Sequence, residues 1–139
     1  MSDSLIQLLL SAIDALDLET SMSLFDPEAE LLTVYGRQGN GTEQVRAVLE
    51  ELIGELRAVH HAISSEWNPE PGVFIAELSA TYELNDFSKR GPYRRAIVLR
   101  THDTKIARLR MYGAHELPLP EAEAGYREVR GPHGWLPTL

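Results

Sequence analysis

A chain of 139 residues has the length of one domain and can bury a core, and 43% hydrophobic with 24% charged residues describes a globular protein, not a disordered or membrane one. A net charge of -8 argues against a binder of nucleic-acid backbones, and the lack of cysteine removes disulfides, thiol nucleophiles and thiolate metal sites together. The apolar N-terminal stretch has no basic flank, is punctuated by Asp3, Asp14 and Asp17, and falls short of a bilayer span, so the expectation is a cytoplasmic protein with no membrane partner.

In chain order, Leu5, Leu8, Leu9, Ala12, Ile13 and Leu16 recur at helical spacing and predict an amphipathic helix from Asp3 to Leu16. Asp17 is a cap for a shorter helix through Phe25, which Asp26-Pro27 should end. Residues 29–35, AELLTVY, read as a first strand, and GRQGNG at 36–41 reads as a flexible connection. Thr42 is the expected N-cap of a third helix, whose stripe is Val45, Val48, Leu49, Leu52, Ile53 and Leu56. The period then falls to two. AVHHAISSEW (58–67), VFIAELSATYEL (73–84) and YRRAIVLRTH (93–102) are expected strands, and KIARLRMYGAHELPL (105–119) opens as another. Its alternation sets Arg108, Arg110, Tyr112 and Ala114 on one face and Leu109, Met111, Gly113 and His115 on the other. NPEPG, NDFSKRGP and DTK are the turn sequences between the strands.

Helices followed by a strand meander imply an α+β fold, a cone-shaped curved antiparallel sheet wrapped around N-terminal helices. Such a sheet leaves a hollow suited to a small ligand. The expected domain runs over residues 1–119. The Pro-containing tail, 120–139, is expected to pack on the domain or on a dimer partner through residues such as Tyr126 and Trp135.

The stretch DALDLETSMSLFDPEAELLTVYGRQGNGTEQVRAVLEEL is similar to the opening of the nuclear-transport-factor-two-like superfamily. HAI with Trp67, then ATYELND, then IARLRMY before Leu-Pro-Leu, resembles its SnoaL-like polyketide-cyclase branch, so that about residues 5–119 are covered. The resemblance implies a pocket between sheet and helices and a homodimer. It also implies where chemistry should sit, and there this chain departs. The proton-shuttling aspartate of ketosteroid isomerases falls at about Thr33, and their oxyanion tyrosine near Leu9. The Asp-Arg-Asp set of limonene-type epoxide hydrolases falls at about Ala80, Leu78 and Ala114, and the SnoaL-like Tyr-x-Asp becomes Tyr112-Gly-Ala-His.

What remains is a set of polar side chains. His60 and His61 are neighbours on a strand and point to opposite faces, so one at most lines a pocket. His61 is the first candidate for an acid–base group and His115 the second. Tyr35, Tyr82, Arg110 and Tyr112 are candidate ligand contacts, the phenols as hydrogen-bond partners and Arg110 as an anchor for a carboxylate or oxyanion. For Arg110 the competing reading is an ion pair with Glu77 or another acid. The basic cluster Lys89, Arg90, Arg94 and Arg95 reads as a solvated hairpin tip and edge. Histidine spacing suggests no metal, and no cofactor is expected. The preferred reading is a small-molecule-binding protein for a mostly apolar, oxygenated ligand, with no known catalytic constellation intact. The alternative is a cyclase-, isomerase- or dehydratase-type enzyme using a pocket histidine. A homodimer is expected through the outer sheet face, where Leu109 and Met111 would otherwise be exposed.

Overall fold

A computed structural model of the chain describes residues 3–34 and 36–113. Its first helix, α1 (Leu5–Asp14), starts at a capping box: Ser4 Oγ accepts from the Gln7 amide, and the Gln7 side chain accepts from the Ser4 amide. The helix buries Ile6, Leu9, Leu10 and Ile13, each worth about 1.5–3 kcal/mol of burial as a fully covered side chain. Asp17 caps α2 (Leu18–Ser23) by accepting from the Thr20 amide, and this depresses its carboxyl below the ordinary range, led by the Thr20 hydroxyl. No helix among the described residues is long and apolar enough to cross a membrane.

Strand β1 (Phe25–Leu32) begins earlier than the sequence pattern predicts and includes Asp26-Pro27. The proline lacks an amide hydrogen, and its pairing register shifts between Phe25 and Glu30, which accommodates the missing donor. The short β2 (Gln38–Asn40) folds back on β1, inside what reads as a flexible connection. Helix α3 (Gly41–Gly54) follows. Its N-cap is Asn40 rather than Thr42, and the Thr42 hydroxyl reaches the Pro27 carbonyl at 3.3 Å instead. Leu56, assigned to the helical stripe by its spacing, opens β3.

The remaining strands are β3 (Leu56–Glu70), β4 (Val73–Leu84), β5 (Lys89–His102) and β6 (Lys105–Gly113). They form one curved, unclosed six-stranded sheet in the order β2-β1-β6-β5-β4-β3. It is mixed rather than wholly antiparallel, because β1 lies parallel to β6. The fold is α+β, with the helices against one face of the sheet.

Directly paired residues point to the same side, so pairing assigns the faces. Ile63, Leu78, Arg95 and Gly113 form one rung; Ile97 pairs with Met111 and Leu99 with Leu109. Ala76, Leu78, Ala80, Tyr82, Ile97, Leu99 and Leu109 all belong to the core beneath the helices, so this is the concave side. Leu109 and Met111 therefore turn inward, and Arg110 and Tyr112 turn outward with Val98 and Ala96. That reverses the expectation for β6. Burying two apolar side chains outweighs placing an arginine and a phenol in the core.

Candidate functional site

Polar chemistry on the concave side begins where α1 ends. Asp14 is the last residue of α1, and His61 stands opposite Ala80 on β3. The two meet: His61 Nδ1 is 2.6 Å from Asp14 Oδ1, and the His61 amide donates to Asp14 Oδ2 at 3.2 Å. The imidazole is 5% exposed and the carboxylate 25%. With the carboxylate accepting, a neutral imidazole carries its proton on Nδ1 and its lone pair on Nε2. No partner for Nε2 occurs among the described residues.

Beyond His61 an aromatic row crosses the sheet. The Tyr82 ring stands edge-on to His61, with centroids 6.4 Å apart, and the Tyr93 ring is 6.1 Å beyond Tyr82. Register explains the grouping, because His61 and Tyr93 flank Ala80 on neighbouring strands, and Tyr82 is two residues further along β4. Arg95 closes the row, its guanidinium carbon 4.9 Å from the centre of the Tyr93 ring. Arg95 is 3% exposed, which corrects the reading of that cluster as wholly solvated. A Cβ on Gly113 would lie 2.9 Å from both Arg95 Cδ and Arg95 Nη1, so a glycine there gives the side chain its space.

The other predicted residues lie elsewhere. Arg110 is on the convex face, 3.2 Å from Glu30, so the acid that pairs with it is Glu30 and not Glu77. Its charge is held more firmly than usual, first by the Tyr112 hydroxyl and then by Glu30. Tyr112, 47% exposed, borders a depression of about 700 Å³ that is lined by residues of both parities: Glu77, Ser79, Arg94 and Ala96, and also Leu78, Arg95 and Gly113 of the rung described above. His60 is exposed. Of the predicted set, the structure brings together His61 and Tyr82, and separates them from Arg110 and Tyr112 by the thickness of the sheet. Tyr35 and His115 lie outside the described residues, as does the tail, 120–139. No group of three metal-ligating side chains occurs among the described residues.

Sequence reasoning missed Asp14, Tyr93 and Arg95. Each carried a signal. Asp14 is an acid at the C-terminal turn of a helix, where the macrodipole disfavours it. Tyr93 and Arg95 share the parity of Ile97 and Leu99, so their side chains belong to the apolar face.

No family model matches the sequence, and no curated protein matches it. Solved structures do match. A hypothetical protein of ketosteroid isomerase-like fold from Catenulispora acidiphila, in complex with trimethylamine, superposes with a TM-score of 0.73 at 14% identity, covering 84% of this chain and 90% of that one. A protein from Exiguobacterium of the NTF2-like type gives 0.68 at 14% identity, over 80% of this chain and 98% of that one. An epoxide hydrolase of the LEH-like type from M. tuberculosis gives 0.66 at 14% identity, over 79% and 80%. At these identities the likeness concerns the fold, and the fold of this chain is the nuclear-transport-factor-two-like, ketosteroid-isomerase-like one.

Proposed function

We propose that this protein holds a small, mostly apolar, oxygenated molecule against the concave face and that His61 moves a proton on it. The observation that carries the reading is the Asp14–His61 pair. One carboxylate accepts from both the ring and the backbone of the same histidine, which fixes the ring's orientation and tautomer and leaves Nε2 for the ligand. A histidine held only for packing needs one of those bonds, not both.

The chemistry follows from the neighbours. Nε2 takes a proton from a carbon next to a carbonyl and either returns it to carbon or delivers it to a leaving hydroxyl, which departs as water. The negative charge that develops on the carbonyl oxygen calls for a hydrogen-bond donor, and the Tyr82 phenol is the nearest ring to His61 in the row. Asp14 steadies the imidazolium that forms. Similarity of fold to an epoxide hydrolase supports the reading of the concave face as a place for organic molecules, and no more than that.

The test uses 2-tetralone in deuterated water, with incorporation of deuterium beside the carbonyl read by NMR. The expected result is exchange above the buffer rate. His61→Gln should lower the protein-dependent rate by about 10²–10⁴-fold, and Asp14→Asn by about 10–100-fold with little change in KM. If the wild-type chain and His61→Gln support equal exchange across a set of cyclic ketones, the protein binds without catalysing, and the proton-transfer reading fails.

A further inference from the structure

The guanidinium of Arg95 is a buried cation with no anion beside it among the described residues. Nη1 donates to the Arg94 carbonyl at 3.0 Å, and the face of the group lies on Tyr93. Nε and Nη2 are buried and have no hydrogen-bond partner among the described residues. The acids on this side of the sheet are committed elsewhere: Asp14 to His61, and Glu66 to Ser4 and Gln7 at the start of α1. No carboxylate among the described residues comes within ion-pair distance of Arg95. Buried charges in proteins are almost always paired, because desolvation without a partner is strongly unfavourable. A buried donor left over among the described residues points to a partner outside them.

The surroundings are also shaped for it. Gly113 is the rung partner of Arg95, and any side chain there would collide with Cδ and Nη1. Tyr93 packs beneath the guanidinium, whose carbon lies 4.9 Å from the ring centre. Nε and Nη2 are adjacent donors in the fork geometry that matches the two oxygens of a carboxylate.

We propose that Arg95 is the seat of a carboxylate, and that the natural ligand of the concave face is therefore a planar organic acid, its carboxylate on the Nε–Nη2 edge and its apolar body along Tyr93 and Tyr82 toward His61. The proposal rests on the reading of that face as the ligand site, but not on any proton transfer there. It assigns the anchoring role expected of Arg110 to a different arginine, on the other side of the sheet.

The experiment compares acetate, benzoate and 2-naphthoate with their neutral amides, by titration calorimetry and by the rise in melting temperature that binding to the native state produces. At least one carboxylate should bind the wild-type chain about tenfold or more tightly than its own amide, as a charge-assisted pair of bonds requires. Arg95→Met should erase the difference while melting no lower than wild type without ligand, because it removes an uncompensated buried charge. Arg95→Lys keeps the charge but loses the fork and should weaken the preference. His61→Gln and Asp14→Asn should retain it, which separates this inference from the catalytic one. Equal binding of every carboxylate and its amide to the wild-type chain would overturn the proposal. So would a preference that survives in Arg95→Met, or one that disappears in His61→Gln while Arg95→Met keeps it.

Discussion

Two histidine–aspartate pairs join distant parts of this chain, and they differ in almost everything except composition. Asp14–His61 ties the end of α1 to β3, with Nδ1 to Oδ1 at 2.6 Å and a ring 5% exposed. Asp26–His102 ties β1 to the end of β5, at 3.2 Å, with a ring 71% exposed. The inner carboxylate also accepts the histidine's own amide, whereas the outer one accepts the Glu28 amide two residues along its own strand. The inner pair is thus a fixed unit with one nitrogen left over. In the outer pair the ring is the partner that can exchange with water, since its carboxylate is 20% exposed against 25% for the inner one. Identity of residues says little here; what surrounds them decides whether they can do chemistry.

The sharpest way to break this contrast is to remove the inner acid. Asp14→Ala leaves the His61 ring N–H and the His61 amide without their acceptor in a site that water reaches poorly. Stability should fall by about 2–3 kcal/mol, two lost bonds to a charged acceptor discounted for the partial exposure of the carboxylate. Urea denaturation followed by tryptophan fluorescence measures it. A loss no larger than that of Asp26→Ala would mean that the two pairs are equivalent after all, and the case for an oriented catalytic histidine would weaken with it.

A second contrast lies between glycines. Gly113 sits under Arg95, where an added Cβ would meet the Arg94 carbonyl at 2.8 Å. That neighbour is backbone and cannot step aside, so Gly113→Ala should cost about 1–2 kcal/mol and also disturb the seat of Arg95. Gly54, the last residue of α3, has nothing within 4 Å of where a Cβ would be. Gly54→Ala should raise stability by about 0.5–1 kcal/mol, through helix propensity and a less flexible unfolded chain. Melting curves of the two variants should therefore move in opposite directions.

How much of this was readable in advance follows from the same physics. The α3 stripe and the alternation of β4 mark their elements, since one face of each is buried and the other is not, and β4 spans the predicted residues 73–84. Pairing partners across the sheet carry no such mark: nothing in the residues of β1 shows that it lies parallel to β6. Asp26-Pro27 looks like a stop because proline usually is one, and only a register shift makes it part of a strand. On β6 the alternation is visible, and the apolar parity of Leu109 and Met111 decides which side turns inward. The site was half legible. His61 and Tyr82 stand on strand faces that periodicity can assign. Asp14 reaches them from a helix 47 residues away in sequence, and no local pattern encodes that meeting. Arg95 was hidden by company, since three other basic residues nearby made a solvated cluster the simpler account.

The smallest effect expected is the pH response of the outer pair. His102 is held above the ordinary histidine value, first by its hydrogen bond to Asp26 and then by the charges of Asp103 and Asp26. Asp26 is held below the ordinary aspartate value, first by the Glu28 amide and then by His102. The signs follow. A histidine whose folded value is raised contributes stability that is complete below its unfolded value, about 6.5, and fades as pH rises through the folded one. A depressed aspartate contributes above about 3.8 and loses its contribution as pH falls through its folded value. Their common window therefore lies on the acid side of neutrality. The difference in melting temperature between the wild-type chain and His102→Ala should be greatest at about pH 5 and vanish by about pH 8, and the His102 ring signal should titrate above 6.5 in NMR. At such exposure the difference will be small at any pH, since solvent and salt screen the pair. A difference that instead grows with rising pH would show that the ring contributes to folding in its neutral form, through packing rather than charge, and the outer pair would then be closer in kind to the inner one.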